Sequence, residues 1–335
     1  MRASIRQVAA RAGVSRTTVS KLLQGRDETF LPETCERVRQ AVRELNYIPV
    51  SQPMTQTRRS ATRTIGLVFG DIEEDDEWGA PLYRGLRHAA RAHEYDLLTL
   101  LRTPPEWMSD QKELQFLDRR TDGFIFVVMR NQFRMIEKLV GHGVPVVACM
   151  LGDVPPGVPA VVLDNAGTME QAVDYLVARG HRRIAYMHGP DRADFLQRAH
   201  GYRSAMTRHS LDACLIPTKN NDVPLLDWRE RLVGAIQTKG VTSVVCACDH
   251  LAFEVMACLE EYGIRVPQDV SITGLDDSPG GAARGLTTFR CTAPEDFGRL
   301  ALNILVATIS GNGNSQNGVV IPAHIVERSS VATLP

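Results

Sequence analysis

Four groupings in this 335-residue sequence bring reactive side chains together. Cys246-Ala247-Cys248, with His250 two residues on, carries the donor types of a soft-metal site. Asp276-Asp277 offers paired carboxylates, and the acidic run Glu73-Glu74-Asp75-Asp76-Glu77 beside Trp78 could attract a cation. Each of these three weakens on its spacing. A structural zinc site needs four ligands, and no second pair stands near Cys246. Val244-Val245-Cys246-Ala247-Cys248 instead reads as a buried strand, where a free thiol behaves as a small hydrophobe. Adjacent carboxylates on an extended strand point to opposite faces, so they make a poor pair for sugar hydrolysis. Charge runs are usually solvated loops. No GxGxxG follows a strand, and neither a GxSxG elbow nor a P-loop is present. The sequence therefore assigns no catalytic residue, no metal and no cofactor. The fourth grouping is Arg16, Thr17, Thr18, Ser20 and Lys21, polar and cationic with no acid among them.

That cationic set lies on a helix with a helix in front of it. Ser4 and Gln7 form an N-terminal capping pair, after which Ile5, Val8, Ala9 and Ala12 repeat at helical spacing. Gly13 closes the helix in the left-handed conformation that only glycine adopts without strain. Ser15 caps a second helix whose inner stripe is Val19, Leu22 and Leu23, and Gly25 ends it. A third helix is expected from Pro32-Glu33 to Asn46, burying Val38, Val42 and Leu45. A short helix with a polar, cationic outer face suits the DNA major groove, although three packed helices need no partner to be stable.

The whole-chain net charge of −1 conceals a division. Residues 1–63 hold twelve Lys/Arg against five Asp/Glu, while the remainder holds twenty-six against thirty-four. A basic head on an acidic body points toward nucleic acid at one end. The composition is 44% hydrophobic and 23% charged, which excludes a chain disordered throughout. Seven scattered cysteines make no disulfide framework, and no apolar run nears the ~20 residues of a membrane span, so a cytoplasmic protein is expected.

Residues 49–63 read as a linker with few apolar side chains. Beyond them, strand-like runs alternate with amphipathic helical patterns: 65–70, 96–101, 123–129, 145–150, 160–164, 183–189, 242–249 and 270–276. Short apolar strands between helices belong to parallel sheets covered on both faces. The expected organisation is a small all-α helix-turn-helix headpiece at 1–48, the linker at 49–63, and an α/β domain at 64–335 made of two doubly wound lobes. Ligands of such sheets sit at the carboxyl ends of the strands.

The segment from Ile5 to Gly25, with Val8-Ala9, Ala12-Gly13-Val14-Ser15 and Thr18-Val19-Ser20, resembles the headpiece of the LacI/GalR family of transcription regulators. Val162-Leu163-Asp164-Asn165, Gly180 to Ala185, Arg198 to Tyr202, Ser271 to Asp277 and Val326 to Ser330 resemble signatures of the same family. The resemblance implies the two-lobed fold of periplasmic sugar-binding proteins. It places Arg16, Thr17 and Lys21 at base edges, with Ser15, Thr18 and Ser20 nearer the phosphates. The expected DNA-contacting set is completed by Ser4 and by Met54, Arg58 and Arg59 of the linker, with Arg63 beside them. Met54 would be the apolar lever of a minor-groove hinge helix. The linker departs from the family pattern: it is one residue longer, begins Pro49-Val50, and has polar residues where the family has a leucine.

The resemblance also implies a cleft in which Arg198 and Asp276 bond ligand hydroxyls, while Trp78 and Trp228 offer aromatic faces. Met150-Leu151 replaces an Asp-Arg pair common among sugar binders, and Cys248-Asp249 replaces Asn-Asp. Met150, Cys248 and Asp249 thus complete the expected effector site, and its reduced polarity suits a modified sugar, a nucleoside-like molecule or a less polar metabolite. The expected function is a homodimeric regulator, commonly a repressor, which binds a pseudo-palindromic double-stranded operator under control of a small-molecule effector. The alternatives are an activator of the same architecture and a solute-binding protein without a regulatory role. A dimer is expected over a tetramer because no leucine heptad follows the last strand. Replacing Arg16 by Ala should cost ~1–3 kcal/mol on the cognate site and much less on random DNA. Paired titrations giving equal losses on both would contradict a base-reading role.

Overall fold

The computed structural model describes residues 3–23, 29–45, 47, 61–69, 78–101, 116–117, 120–127, 133–150, 154–220, 223–224, 227–311 and 318–335. Met54, Arg58, Arg59, Gln24, Gly25, Asn46, Leu151 and the acidic run 73–77 lie outside the described residues.

Three helices form the head: α1 (Ile5–Ala12), α2 (Arg16–Leu23) and α3 (Pro32–Glu44). The capping box at Ser4 and Gln7 is present, and Gly13 ends α1 at φ 66°. The Val14 amide then reaches back to the Ala9 carbonyl at 3.0 Å, turning the chain into α2. Val8, Ala9, Ala12, Val19, Leu22, Cys35, Val38 and Ala41 make the buried centre. Val42 and Leu45, expected inside, are only half-buried, because they flank this small core at the tail of α3.

The body opens at β1 (Thr64–Phe69), α4 (Gly79–Ala92), β2 (Asp96–Leu101), β3 (Gly123–Val127), α5 (Phe133–Gly141), β4 (Val146–Cys149) and β5 (Ala160–Leu163). It continues as α6 (Asn165–Ala178), β6 (Ile184–His188), α7 (Ala193–Arg208), β7 (Cys214–Pro217), β8 (Lys219–Asn220), β9 (Val223–Pro224), α8 (Trp228–Lys239), β10 (Ser243–Cys246) and α9 (Asp249–Glu261). The chain closes with β11 (Ser271–Thr273), α10 (Pro279–Ala283), β12 (Thr288–Arg290), α11 (Pro294–Ser310), β13 (Val319–Ile321) and β14 (His324–Val326). A six-stranded sheet ordered β13-β5-β4-β3-β1-β2 builds the first lobe, and a four-stranded sheet ordered β11-β10-β6-β7 builds the second. All pairings within these two sheets are parallel. Residues 65–69 of β1 and all of β3, β4, β6 and β10 are buried, as helices on both faces require.

All eight expected strands are present, several of them shorter than their apolar runs. The run 270–276 yields only β11, so Asp276 and Asp277 are not strand residues. Both instead have left-handed backbones, at φ 123° and 54°. Strands β7 to β9 and β12 to β14, of two to four residues each, escaped the periodicity reading.

The chain passes between lobes three times. It leaves the first sheet after β5 and enters α6, which packs on α7. It returns through β12 into α11, which packs on α4, and crosses again from β13 through β14. Strands β12 and β14 pair antiparallel, Thr288 with Val326 and Arg290 with His324, in a ribbon separate from both sheets.

At the entry to β1, Asp122 accepts from the Thr62 amide (2.7 Å), the Thr62 hydroxyl (2.9 Å) and the Arg63 amide (3.0 Å). The Arg63 guanidinium lies over the Tyr95 ring and donates to the His93 carbonyl. Arg63 is therefore docked on the body, a correction to its grouping with the DNA-facing linker arginines.

His181 fastens the C-terminal tail to the second lobe. Its Nδ1 sits 3.0 Å from the Thr242 hydroxyl and its Nε2 3.1 Å from the Ala332 carbonyl, so the neutral ring accepts from the first and donates to the second. Burial, the principal influence, depresses its pKa below the ordinary 6.5. Between these two values the unfolded chain binds the additional proton, so stability should fall as pH drops below about 6.5. Denaturant titrations should show this acid-side loss reduced in His181→Gln, and an unchanged pH slope would contradict the assignment.

Candidate functional site

Helix α2 presents Arg16, Thr17 and Lys21 exposed, with Thr18 and Ser20 half-exposed, while Val19 and Leu22 point inward. The short hydroxylated residues also organise the helix. Ser15 accepts from the Thr18 amide at 3.0 Å, and the two hydroxyls lie 2.9 Å apart. Ser4 occupies the corresponding cap of α1, so both serines first fix helix starts and leave exposed oxygens beside them. The result is a capped two-helix unit whose cationic residues need not be desolvated to stay folded.

The second group collects at carboxyl ends of strands. Trp78 precedes α4, on the connection from β1; Met150 follows β4; Arg198 is carried on α7, after β6; Cys248 and Asp249 follow β10; and Asp276 follows β11. Arg198 is buried, at 8% exposure. Its Nε donates to Asn165 Oδ1 at 2.8 Å and its Nη1 to the Ala247 carbonyl at 2.8 Å, while Asp194 stands 3.9 Å from Nη2. The face of Phe195 lies 4.9 Å from the guanidinium carbon. Burial opposes the charge, but the carboxylates of Asp194 and Asp276 outweigh it and hold the pKa above its ordinary value. Two of the five guanidinium N–H donors are thus held by these bonds among the described residues.

Asp276 is half-buried, and its charge is felt by Arg198, Cys248 and Cys291. Burial, reinforced by that carboxylate, pushes the Cys248 thiol up to about 11 and the Cys291 thiol up to about 12, leaving both neutral. Arg198, Cys248 and Cys291 therefore all lie within the field of Asp276. Met150, just past β4, has φ 57°. Trp78 packs edge-to-face on Phe297, with centroids 6.0 Å apart, and Trp228 is the first residue of α8, 9% exposed.

Asp249 is fully buried, and its carboxylate faces the protein. It accepts from the Ser278 amide (2.8 Å), the Ser278 hydroxyl (3.3 Å) and the Thr288 hydroxyl (2.5 Å). Gly274 makes room for it, since a Cβ there would collide with Asp249 Oδ1. Asp249 thus shapes the loop that carries Asp276.

Sequence reasoning overlooked three neighbours. Asn165 lay within a quoted signature, and Asp194 stands one helical turn before Arg198, a usual ion-pair spacing. Tyr186 gave no sequence signal. Its buried hydroxyl has no partner among the described residues and lies within the field of Arg198. No group of three or more His, Cys, Asp or Glu among the described residues could hold a metal.

Residues 4–50 match the family described as bacterial regulatory proteins of the lacI family, and residues 173–331 match a periplasmic binding protein-like domain. The HTH-type transcriptional regulator CelR of Thermobifida fusca is 30% identical, over 98% of each chain. The chain belongs to the LacI family. A solved CelR–cellobiose complex aligns at TM-score 0.68 and 26% identity, over 98% of this chain and 100% of that one. The lac repressor dimer bound to operator and an anti-inducer aligns at TM-score 0.67 and 21% identity, over 99% and 100%, a likeness of fold. This LacI-family member is a ligand-controlled, DNA-binding transcription regulator, and its relatives are regulators rather than enzymes. No helix among the described residues is long and apolar enough to cross a membrane.

Replacing Asp249 by Ala leaves a buried amide and two hydroxyls without their acceptor, a cost on the order of 3 kcal/mol. Equilibrium unfolding should show that loss; unchanged stability combined with lost ligand affinity would instead make Asp249 a direct ligand contact.

Proposed function

We propose that this chain is a cytoplasmic homodimeric repressor whose operator affinity is set by a saccharide or related polar metabolite held between the lobes. The domains are the headpiece at 1–48, the linker at 49–63 and the effector and dimerisation body at 64–335. Two copies of α2 read half-sites about 10 bp apart in a pseudo-palindromic operator. Arg16, Thr17 and Lys21 contact bases, and Ser4, Ser15, Thr18 and Ser20 contact the backbone, joined by Met54, Arg58 and Arg59 of the linker. The effector bonds Arg198 and Asp276, with Trp78, Met150, Trp228 and Cys248 around it, while Asp249 sets the position of Asp276.

The observation that carries this reading is the buried, oriented guanidinium of Arg198 opposite a carboxylate at the strand ends. Such a pair bonds vicinal hydroxyls strongly once water is excluded. CelR, which is solved with cellobiose, supports a saccharide as the first ligand to try. Met150 and Cys248 favour a sugar whose adjoining face is apolar or lacks a hydroxyl, because an unpaired buried hydroxyl costs ~1–3 kcal/mol.

Thermal-shift assays against cellobiose, glucose, ribose and cytidine test the cleft. A ligand at 100-fold its Kd stabilises the fold by about 2.7 kcal/mol. One of these should raise Tm in the wild type and fail to do so in Asp276→Asn and Arg198→Ala. A shift that survives both substitutions would place the ligand elsewhere.

A further inference from the structure

The two consecutive aspartates face different parts of the molecule. Asp276 acts on the charge of Arg198, whereas the Asp277 side chain is 4% exposed and gripped by two arginines. Arg290, which bonds Asp277 Oδ2, ends β12; Arg328, whose Nη2 donates to Asp277 Oδ1 at 2.6 Å, lies two residues beyond β14. These are two of the three segments that carry the chain between the lobes. Arg328 also donates to the Leu286 carbonyl at 2.8 Å, fixing its direction. The backbone adds to the connection: the Asp276 amide donates to the Phe289 carbonyl at 2.9 Å, and the Asp277 amide approaches the Thr288 hydroxyl at 3.4 Å. Thr288 in turn donates to Asp249. Two successive left-handed residues bring the loop onto the crossovers, setting Asp277 on its two arginines while the charge of Asp276 is felt at Arg198.

We propose that Asp277 is the residue through which the effector site controls the interlobe hinge. Ligand contact at Asp276 displaces the 274–278 loop, and the Arg290 and Arg328 pairs deliver that displacement to the two crossover segments that carry them. The inference rests on the cleft reading above and adds the path by which occupancy becomes a change in lobe orientation. It needs no covalent step, only two arrangements of a salt-bridged loop that ligand binding distinguishes.

The test compares the full-length wild type with Asp277→Asn, Arg290→Gln and Arg328→Gln, using an operator selected by the wild type from random duplexes. Arg290 is half-exposed, so its substitution keeps the test available should Asp277→Asn fail to fold. Without any ligand, the variants should alter operator Kd by about fivefold or more, the low end of ordinary coupling, although none of these residues belongs to the headpiece. With cellobiose, they should keep the thermal shift of the wild type while losing most of its effect on operator binding. Arg290→Lys, which keeps the charge, should recover part of both. Operator affinities and effector responses equal to the wild type in all three variants would overturn the proposal. Absence of a cellobiose shift in the wild type would count against the saccharide reading alone, since the ligand-free operator affinities still decide the role of Asp277.

Discussion

A guanidinium removed from water must find fixed partners, and the burial of Arg198 imposes that requirement on the whole second lobe. Its charge is costly in a low-dielectric interior unless carboxylates and hydrogen bonds surround it. Asn165 at the start of α6, the Ala247 carbonyl after β10, Asp194 one turn earlier on α7 and Asp276 after β11 meet that need. These groups come from four separate connections, all at strand ends, so one buried cation fixes the relative placement of those four. A ligand with hydroxyl groups can join this network without any catalytic chemistry, which suits a binding protein that reports occupancy.

The second constraint is that three chain crossings join two rigid parallel sheets. The sheets cannot deform without losing their ladders, so relative motion is confined to the crossings. The ion pairs of Asp277 and the Thr288–Asp249 bond all fall on that junction. Burial works against the Asp277 charge, yet its two arginines hold the carboxyl below the ordinary range, so it remains ionised through neutral pH. On the head side, Thr62 and Arg63 are pinned to Asp122, giving any movement of the first lobe a firm attachment to the linker.

Much of the head was legible in the sequence because its determinants are local. A capping pair three residues apart, a glycine at positive φ and an apolar repeat lie within one or two turns, and Ser4, Gly13 and Val19 behave as their neighbours dictate. Eight of the ten strands in the parallel sheets were legible for the same reason, as continuous apolar runs, while β7 and β13 were not. The hinge was not. Asp249 finds its partners 29 and 39 positions away, and Arg328 reaches Asp277 across 51, distances over which one sequence carries no pairing signal. Ribbon strands of three residues, ending in Arg290 or beginning in His324, lack a readable period. The tandem aspartates read as strand because an apolar run precedes them, but Gly274 lets the backbone leave the sheet to accommodate Asp249.

If the cleft and the headpiece are coupled, the coupling must be reciprocal. The decisive measurement is a two-way titration of the full-length protein: operator affinity with and without saturating effector, and effector affinity with and without operator. Both affinities should change by the same factor, about fivefold or more, in the same sense. An effector that binds free and operator-bound protein equally would contradict it.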